Sequence, residues 1–193
     1  MKNVLQLFAI LLHPALIPFY SAIAYTPLFI KYGWPPVLLF AIWILFLHLI
    51  LPVVYFTKVK QIKLSAPNLA EREAIFKTYL GLTLLIVVVT AFMFKEYLGF
   101  SLALFILYAL LWFWSAIKFK ASWHAAAWAM LLVSALALIL KFGFVDNTNT
   151  LITLVLLTVL VTTVRYLQKA HTLNELLMGL ATGAASATIV IFI

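Results

Sequence analysis

Cysteine is absent from this 193-residue chain, so neither a disulfide nor a thiolate metal site is open to it. Charge is scarce as well. Asp, Glu, Lys and Arg make up 9% of the residues against 67% hydrophobic, and the mean hydropathy is +1.18. A soluble domain of this size has too much surface to cover with so few charges. Contact with lipid removes the difficulty, because the outward face is then free to be apolar. No window is low in complexity, no repeat recurs, and no shift of composition marks a boundary, so residues 1–193 read as a single domain. The formal net charge is +8, but the basic residues sit between apolar runs rather than in a stripe on a soluble fold. That pattern points to interfacial anchoring and anionic headgroups and away from nucleic acid.

What is present is apolar length. A membrane helix needs about 20 mostly apolar residues. Seven stretches come close: Val4 to Tyr25, Trp34 to Phe56, Ile75 to Phe94, Leu98 to Ile117, Trp123 to Phe144, Leu151 to Val164 and Leu173 to Ile193. The sixth is short unless it continues through Tyr166. The fold class expected is an all-α polytopic bundle of six to seven transmembrane helices. Lys2 and Ala22-Ile23-Ala24 give the first stretch the look of a signal peptide, but it is expected to be retained as a membrane helix. Pro14 and Pro18 should kink it. Gly33 with Pro35-Pro36 opens the second, and Asp146, Asn147 and Asn149 break the chain before the sixth. The one sizeable hydrophilic stretch runs from Thr57 to Ala74.

Each helix flips the side of the chain. With seven helices, one face receives the N-terminus, the Thr57–Ala74 loop, the Lys118–Ser122 loop and the Arg165–His171 connection. Ten of the thirteen basic residues fall there: Lys2, Lys58, Lys60, Lys63, Arg72, Lys77, Lys118, Lys120, Arg165 and Lys169. Lys31, Lys95 and Lys141 fall on the other. The positive-inside rule would make the first face cytoplasmic.

Three stretches of that face carry candidate chemistry. In Lys120-Ala-Ser122-Trp-His124, Ser122 is a plausible N-cap. The helix end behind it offers free N–H groups to an anion, beside a cation and a titratable ring. An ordinary capped helix with snorkelling lysine is the plainer reading. In Arg165-x5-His171-x3-Glu175, the last two residues are four apart and share a helix face. A carboxylate beside an imidazole fixes its tautomer; an interfacial His–Glu cap is the alternative. The triplet Glu71-Arg72-Glu73 is third, and such a run is more often a solvated face. His13 and His48 lie in apolar stretches, where an ionisable residue invites a functional reading. A neutral histidine bonded to a neighbouring helix is the commoner case, and the spacing holds no His-Glu-x-x-His zinc pattern. Gly179 and Gly183 form a GxxxG step suited to close helix packing. Trp112-Phe113-Trp114 suits an interfacial belt.

The order of the three stretches resembles the type 2 phosphatidic acid phosphatase superfamily. Its pattern is a basic motif with Lys and Arg, then Ser-Gly-His, then Ser-Arg-x5-His-x3-Asp. Ser122-Trp123-His124 is similar to the second motif, and Arg165, His171 and Glu175 have the spacing of the third. Arg72 looks like the arginine of the first. A compact branch from Bacteroidetes-type bacteria is also similar at His13-Pro14-Ala-Leu-Ile-Pro18-Phe-Tyr20 and at His171-Thr172. The likeness spans most of the chain, while the sharp motifs cover about a tenth of it. There are departures. Trp123 stands where the pattern has glycine, Thr163-Val164 precedes Arg165 without the serine, and Glu175 replaces aspartate. Lys63 lies nine before Arg72 rather than seven, and Lys120 is the candidate for the missing cation.

The resemblance implies a phosphatase acting on a lipid phosphate or diphosphate without metal or other cofactor. His171 would attack phosphorus and form a phosphohistidine, His124 would protonate the leaving oxygen and then activate water, and Glu175 would orient His171. Arg72, Lys120, Ser122 and Arg165 would hold the phosphoryl oxygens. The setting implied is the bacterial cytoplasmic membrane, with the lipid phosphate substrate and membrane lipids as partners and the oligomeric state open. Most relatives face outward, against the charge count. Two rival classes remain: a non-catalytic lipid-phosphate binder on the same scaffold, and a small transporter or assembly subunit. A transporter would place its polar groups at mid-membrane, whereas these lie at helix ends.

Overall fold

The structure is a computed structural model in which residues 11–21, 38, 42–62, 67–142 and 148–193 are described. Among them every element is helical. Six helices are long and apolar enough to cross a membrane: α1 (Ile42–Val59), α2 (Leu69–Met93), α3 (Leu98–Ala116), α4 (Trp123–Phe142), α5 (Thr148–Leu167) and α6 (Leu173–Ala187, running on through Ile189–Phe192). Their outward faces are apolar. Phe92, Leu140, Leu156 and Val159 are all well exposed, a surface that water would not tolerate and lipid does. The chain is therefore an all-α polytopic membrane protein. Half of the first apolar stretch expected, Val4 to Tyr25, lies outside the described residues, as do Gly33, Pro35-Pro36, Asp146 and Asn147.

The hydrophilic stretch is shorter than composition suggests. α1 runs on to Val59, and α2 starts at Leu69 rather than near Ile75. The reason is a capping box. Asn68 accepts the Glu71 N–H at 2.9 Å, and the Glu71 carboxylate accepts the Asn68 N–H at 2.7 Å, so charged residues form the first turn. Arg72 therefore sits on a helix, not in a loop. The sixth stretch does continue past Tyr166, to Leu167, and Lys95–Tyr97 forms a single tight turn between α2 and α3.

α1 alternates between π-helical and α-helical turns around Pro52. Proline cannot donate to the carbonyl four residues back, which is that of His48. The Tyr79 hydroxyl of α2 donates to that carbonyl at 2.9 Å instead, tying the two helices together. Three further chain reversals lie at the C-terminal ends of α1, α3 and α5. Each places a non-glycine residue in the left-handed region: Gln61 (φ 54°), Lys118 (φ 64°) and Lys169 (φ 53°). After α3, Phe119 N–H donates to Trp114 and Lys118 N–H to Ser115; after α5, Ala170 N–H donates to Arg165 and Lys169 N–H to Tyr166. These are paired Schellman bonds, which turn the chain within a few residues into the next helix.

α4 is the most enclosed helix and packs along α6. A side chain at Gly183 would collide with the Ala126 carbonyl. One at Gly179 would meet the Ser122 carbonyl oxygen at 2.5 Å and the Ala125 Cβ at 3.2 Å. The GxxxG step is thus a seam of backbone against backbone, as expected. It brings the start of α4 against the start of α6, where the Ser122 N–H donates to the Glu175 carbonyl at 2.9 Å.

Candidate functional site

The N-terminal ends of α2, α4 and α6 and the C-terminal end of α5 converge beside the break at Pro14. Between them lies a cavity of about 60 Å³, with Arg72, His124, Arg165, His171, His13 and Trp123 in its wall. Four of the seven residues singled out from sequence thus meet around one space, from three stretches that are distant in the chain.

Their placement follows from local rules. In the triplet Glu71-Arg72-Glu73, successive residues point about 100° apart. Glu71 turns back to cap the helix, and Glu73 turns out to within 4.0 Å of the exposed Lys118 ammonium. Arg72 turns inward, is 7% exposed, donates to the Ala121 carbonyl and lies over the Phe76 ring. Arg165, on the last turn of α5, donates to the Gln168 side chain at 2.9 Å. The Nε atoms of both arginines are buried without a hydrogen-bond partner, and neither guanidinium forms an ion pair among the described residues. Arg72 is buried and Arg165 half-buried; taking a guanidinium out of water without a counter-ion costs several kcal/mol, roughly, so a cavity lined by both favours an anion.

His171 is 7% exposed and lies between the cavity and an outer groove of about 510 Å³, which Lys120, Lys169 and Glu175 also line. Its Nδ1 is 3.1 Å from the Glu175 carboxylate. The same carboxylate oxygen accepts the Thr172 N–H at 3.0 Å, and Thr172 accepts the Glu175 N–H at 3.3 Å. Glu175 is therefore held by the capping box of α6 while it orients His171. With Nδ1 facing the carboxylate, Nε2 is the atom left for chemistry. Burial, then Arg72, Arg165 and Lys120, hold the His171 pKa down to about 4 against the pull of Glu175. The ring is neutral at physiological pH, with its lone pair available.

Besides Glu175, which lines the outer groove, two of the seven stand off the cavity. The Lys120 ammonium donates to the Ala170 carbonyl at 3.1 Å in the outer groove, and the buried Ser122 hydroxyl accepts the Ala125 N–H at 3.4 Å as the cap of α4. Trp123, where the motif has glycine, lies in the cavity wall. Its ring packs edge-on against Phe76 at 5.4 Å and Tyr79 at 5.2 Å. His48 is buried elsewhere, against Tyr79 and Tyr108. His13, weighed from sequence as a packing histidine, lies in the cavity wall with its ring 5.3 Å from that of His124. The readable signal was the proline directly after it. Thr172-x-x-Glu175 and Asn68-x-x-Glu71 were likewise readable as caps.

Among the described residues no group of three or more His, Asp or Glu side chains is arranged to hold a metal. Comparison with protein families, with curated proteins and with solved structures finds no significant match.

Proposed function

We propose that this chain is a membrane-embedded phosphatase of lipid phosphates or diphosphates, of the type 2 phosphatidic acid phosphatase kind. The observation that carries the reading is the cavity whose wall holds a buried and a half-buried guanidinium, neither in an ion pair among the described residues, together with two histidines, one of them backed by a carboxylate. Phosphoryl transfer needs a positioned nucleophile and cations where negative charge gathers. His171 Nε2 attacks phosphorus while its Nδ1–H stays on Glu175. The bond to the lipid oxygen breaks, and that oxygen takes a proton from His124. Water, deprotonated by His124, then displaces His171 and releases phosphate. Arg72 and Arg165 hold the phosphoryl oxygens throughout. Their fixed charges supply the neutralisation that a metal ion gives in other phosphatases. Helix-end placement sets the reacting atoms at headgroup depth, where a lipid phosphate lies, and the resemblance implies a bacterial cytoplasmic membrane.

A binder without turnover is the second reading. It is favoured by Lys120 and Ser122 standing off the cavity. Purified protein assayed for phosphate release from undecaprenyl diphosphate, phosphatidylglycerophosphate and phosphatidate, with and without EDTA, separates the two. Release from at least one lipid, surviving EDTA, is expected. Binding without release supports the second reading, and neither binding nor release overturns both.

A further inference from the structure

The first described segment breaks in a controlled way. His13 has extended backbone (φ −65°, ψ 135°) ahead of Pro14, which opens a short 3-10 turn. The residue before proline is pushed out of the helical region, and the break frees carbonyls that apolar surroundings cannot satisfy. Both find partners. The Leu12 carbonyl accepts from Trp128 Nε1 at 3.0 Å, and the Leu11 carbonyl accepts from the Tyr20 hydroxyl. The break is thus pinned by α4 and by its own downstream turn, and its product is a histidine in the cavity wall. His13 Nδ1 accepts the Ala15 N–H at 3.2 Å. An acceptor at Nδ1 puts the proton of the neutral ring on Nε2, so the one polar group left to the cavity is a donor.

Resting on the phosphatase reading, we infer that His13 is a third histidine of the site, whose Nε2–H donates to an oxygen of the bound phosphoryl group. Capping the turn needs only the Nδ1 acceptor, which an asparagine would supply as well. The rest of the ring stands edge-on to His124 (5.3 Å) and Trp123 (5.4 Å), beside the two arginines. A neutral donor there adds a charge-assisted hydrogen bond without a further cation to repel Arg72 and Arg165.

Two full-length variants separate this role from capping. His13→Asn keeps an acceptor near Nδ1, and its shorter amide leaves no donor at the place of Nε2. His13→Gln reaches with an amide N–H toward the place of Nε2. Each is compared with wild type for phosphate release and for binding of inorganic phosphate, read by tryptophan fluorescence, with thermal midpoints alongside. His13→Asn should lose about 10- to 100-fold in both kcat/KM and phosphate affinity, the span of one hydrogen bond to a charged group. His13→Gln should lose several-fold less. Asparagine matching or exceeding glutamine would make His13 a cap alone and overturn the inference. So would midpoints equally depressed in both variants, with the losses following the unfolded fraction. A wild type that neither releases nor binds phosphate overturns the functional reading and this inference together. A wild type that does so, with asparagine as good as glutamine, overturns this inference alone.

Discussion

At the scale of single residues, the burial of His171 among cations is the property with the most consequences. His171→Ala should reduce phosphate release to background in a protein that still folds. Glu175→Gln should cost about 10- to 100-fold, because an amide can still orient the ring but no longer balances its charge. The pH dependence has a definite sign. The folded pKa of about 4 lies below the ordinary histidine value of 6.5. Between those values the unfolded chain binds a proton that the folded chain does not, so stability falls as pH drops from 6.5 toward 4. Activity should persist below the usual histidine range and fall only as pH passes through about 4. Removing a cation relaxes the depression, so in Arg72→Gln the acid limb of kcat/KM should move to higher pH. A limb that stays in place, or moves lower, would show that Arg72 does not face His171.

At the scale of elements, the glycines separate packing from propensity. A Cβ at Gly183 meets backbone atoms of Ala126 and Met130, which no rotamer change can clear, whereas a Cβ at Gly81 meets nothing within 4 Å. Gly183→Ala should therefore destabilise by about 1–3 kcal/mol or more as α4 and α6 are forced apart. Because that seam carries Ser122 to Glu175, phosphate release should fall with it. Gly81→Ala should be neutral or stabilising by about 0.5–1 kcal/mol. Thermal unfolding of the pair in one detergent checks both signs. Thr172→Ala removes the reciprocal cap of α6 and should cost about 1 kcal/mol. It should also lower activity, since the backbone turn that fixes Glu175 loosens. The turns at Lys118 and Lys169 carry no glycine, so their left-handed geometry left no mark in the sequence.

At the scale of the whole molecule, the open matter is which side of the membrane the cavity faces. Among the described residues Lys58, Lys60, Arg72, Lys77, Lys118, Lys120, Arg165 and Lys169 lie toward the helix ends that form the cavity. Lys95 and Lys141 lie toward the opposite ends. Setting aside Arg72, Lys120 and Arg165, the cations assigned from sequence to phosphate binding, leaves the asymmetry in place. From the positive-inside rule we propose that the cavity faces the cytoplasmic side. The protein has no native cysteine, and Lys60 is exposed at the end of α1. A single cysteine at that position should be silent to an impermeant thiol reagent in intact cells and react once the membrane is opened. Reaction in intact cells would turn the molecule over and restore the outward orientation that the motif resemblance implies.

The sequence by itself determined the solvent and the local geometry. Long apolar runs with few charges leave lipid as the only surrounding the outward faces can meet, and a backbone in lipid closes its own hydrogen bonds as helices. Spacing also placed His171 beside Glu175, although not on a shared helix face as expected: His171 precedes the Thr172 cap of α6, and the Glu175 carboxylate that folds back in the capping box reaches its ring. Tertiary structure decided what spacing could not reach. The Asn68 cap accounts for Glu71, but nothing local tells whether Arg72 or Glu73 turns inward; that depends on where the Ala121 carbonyl and the cavity lie. Nor could sequence keep Lys120 out of the cavity, where the Ala170 carbonyl holds it aside, or bring His13 in. Those placements follow from helix packing along the Gly179–Gly183 seam and from the pinned break at Pro14. The seam joins residues more than fifty positions apart and the break at Pro14 joins Leu12 to Trp128, and only the folded chain brings such residues together.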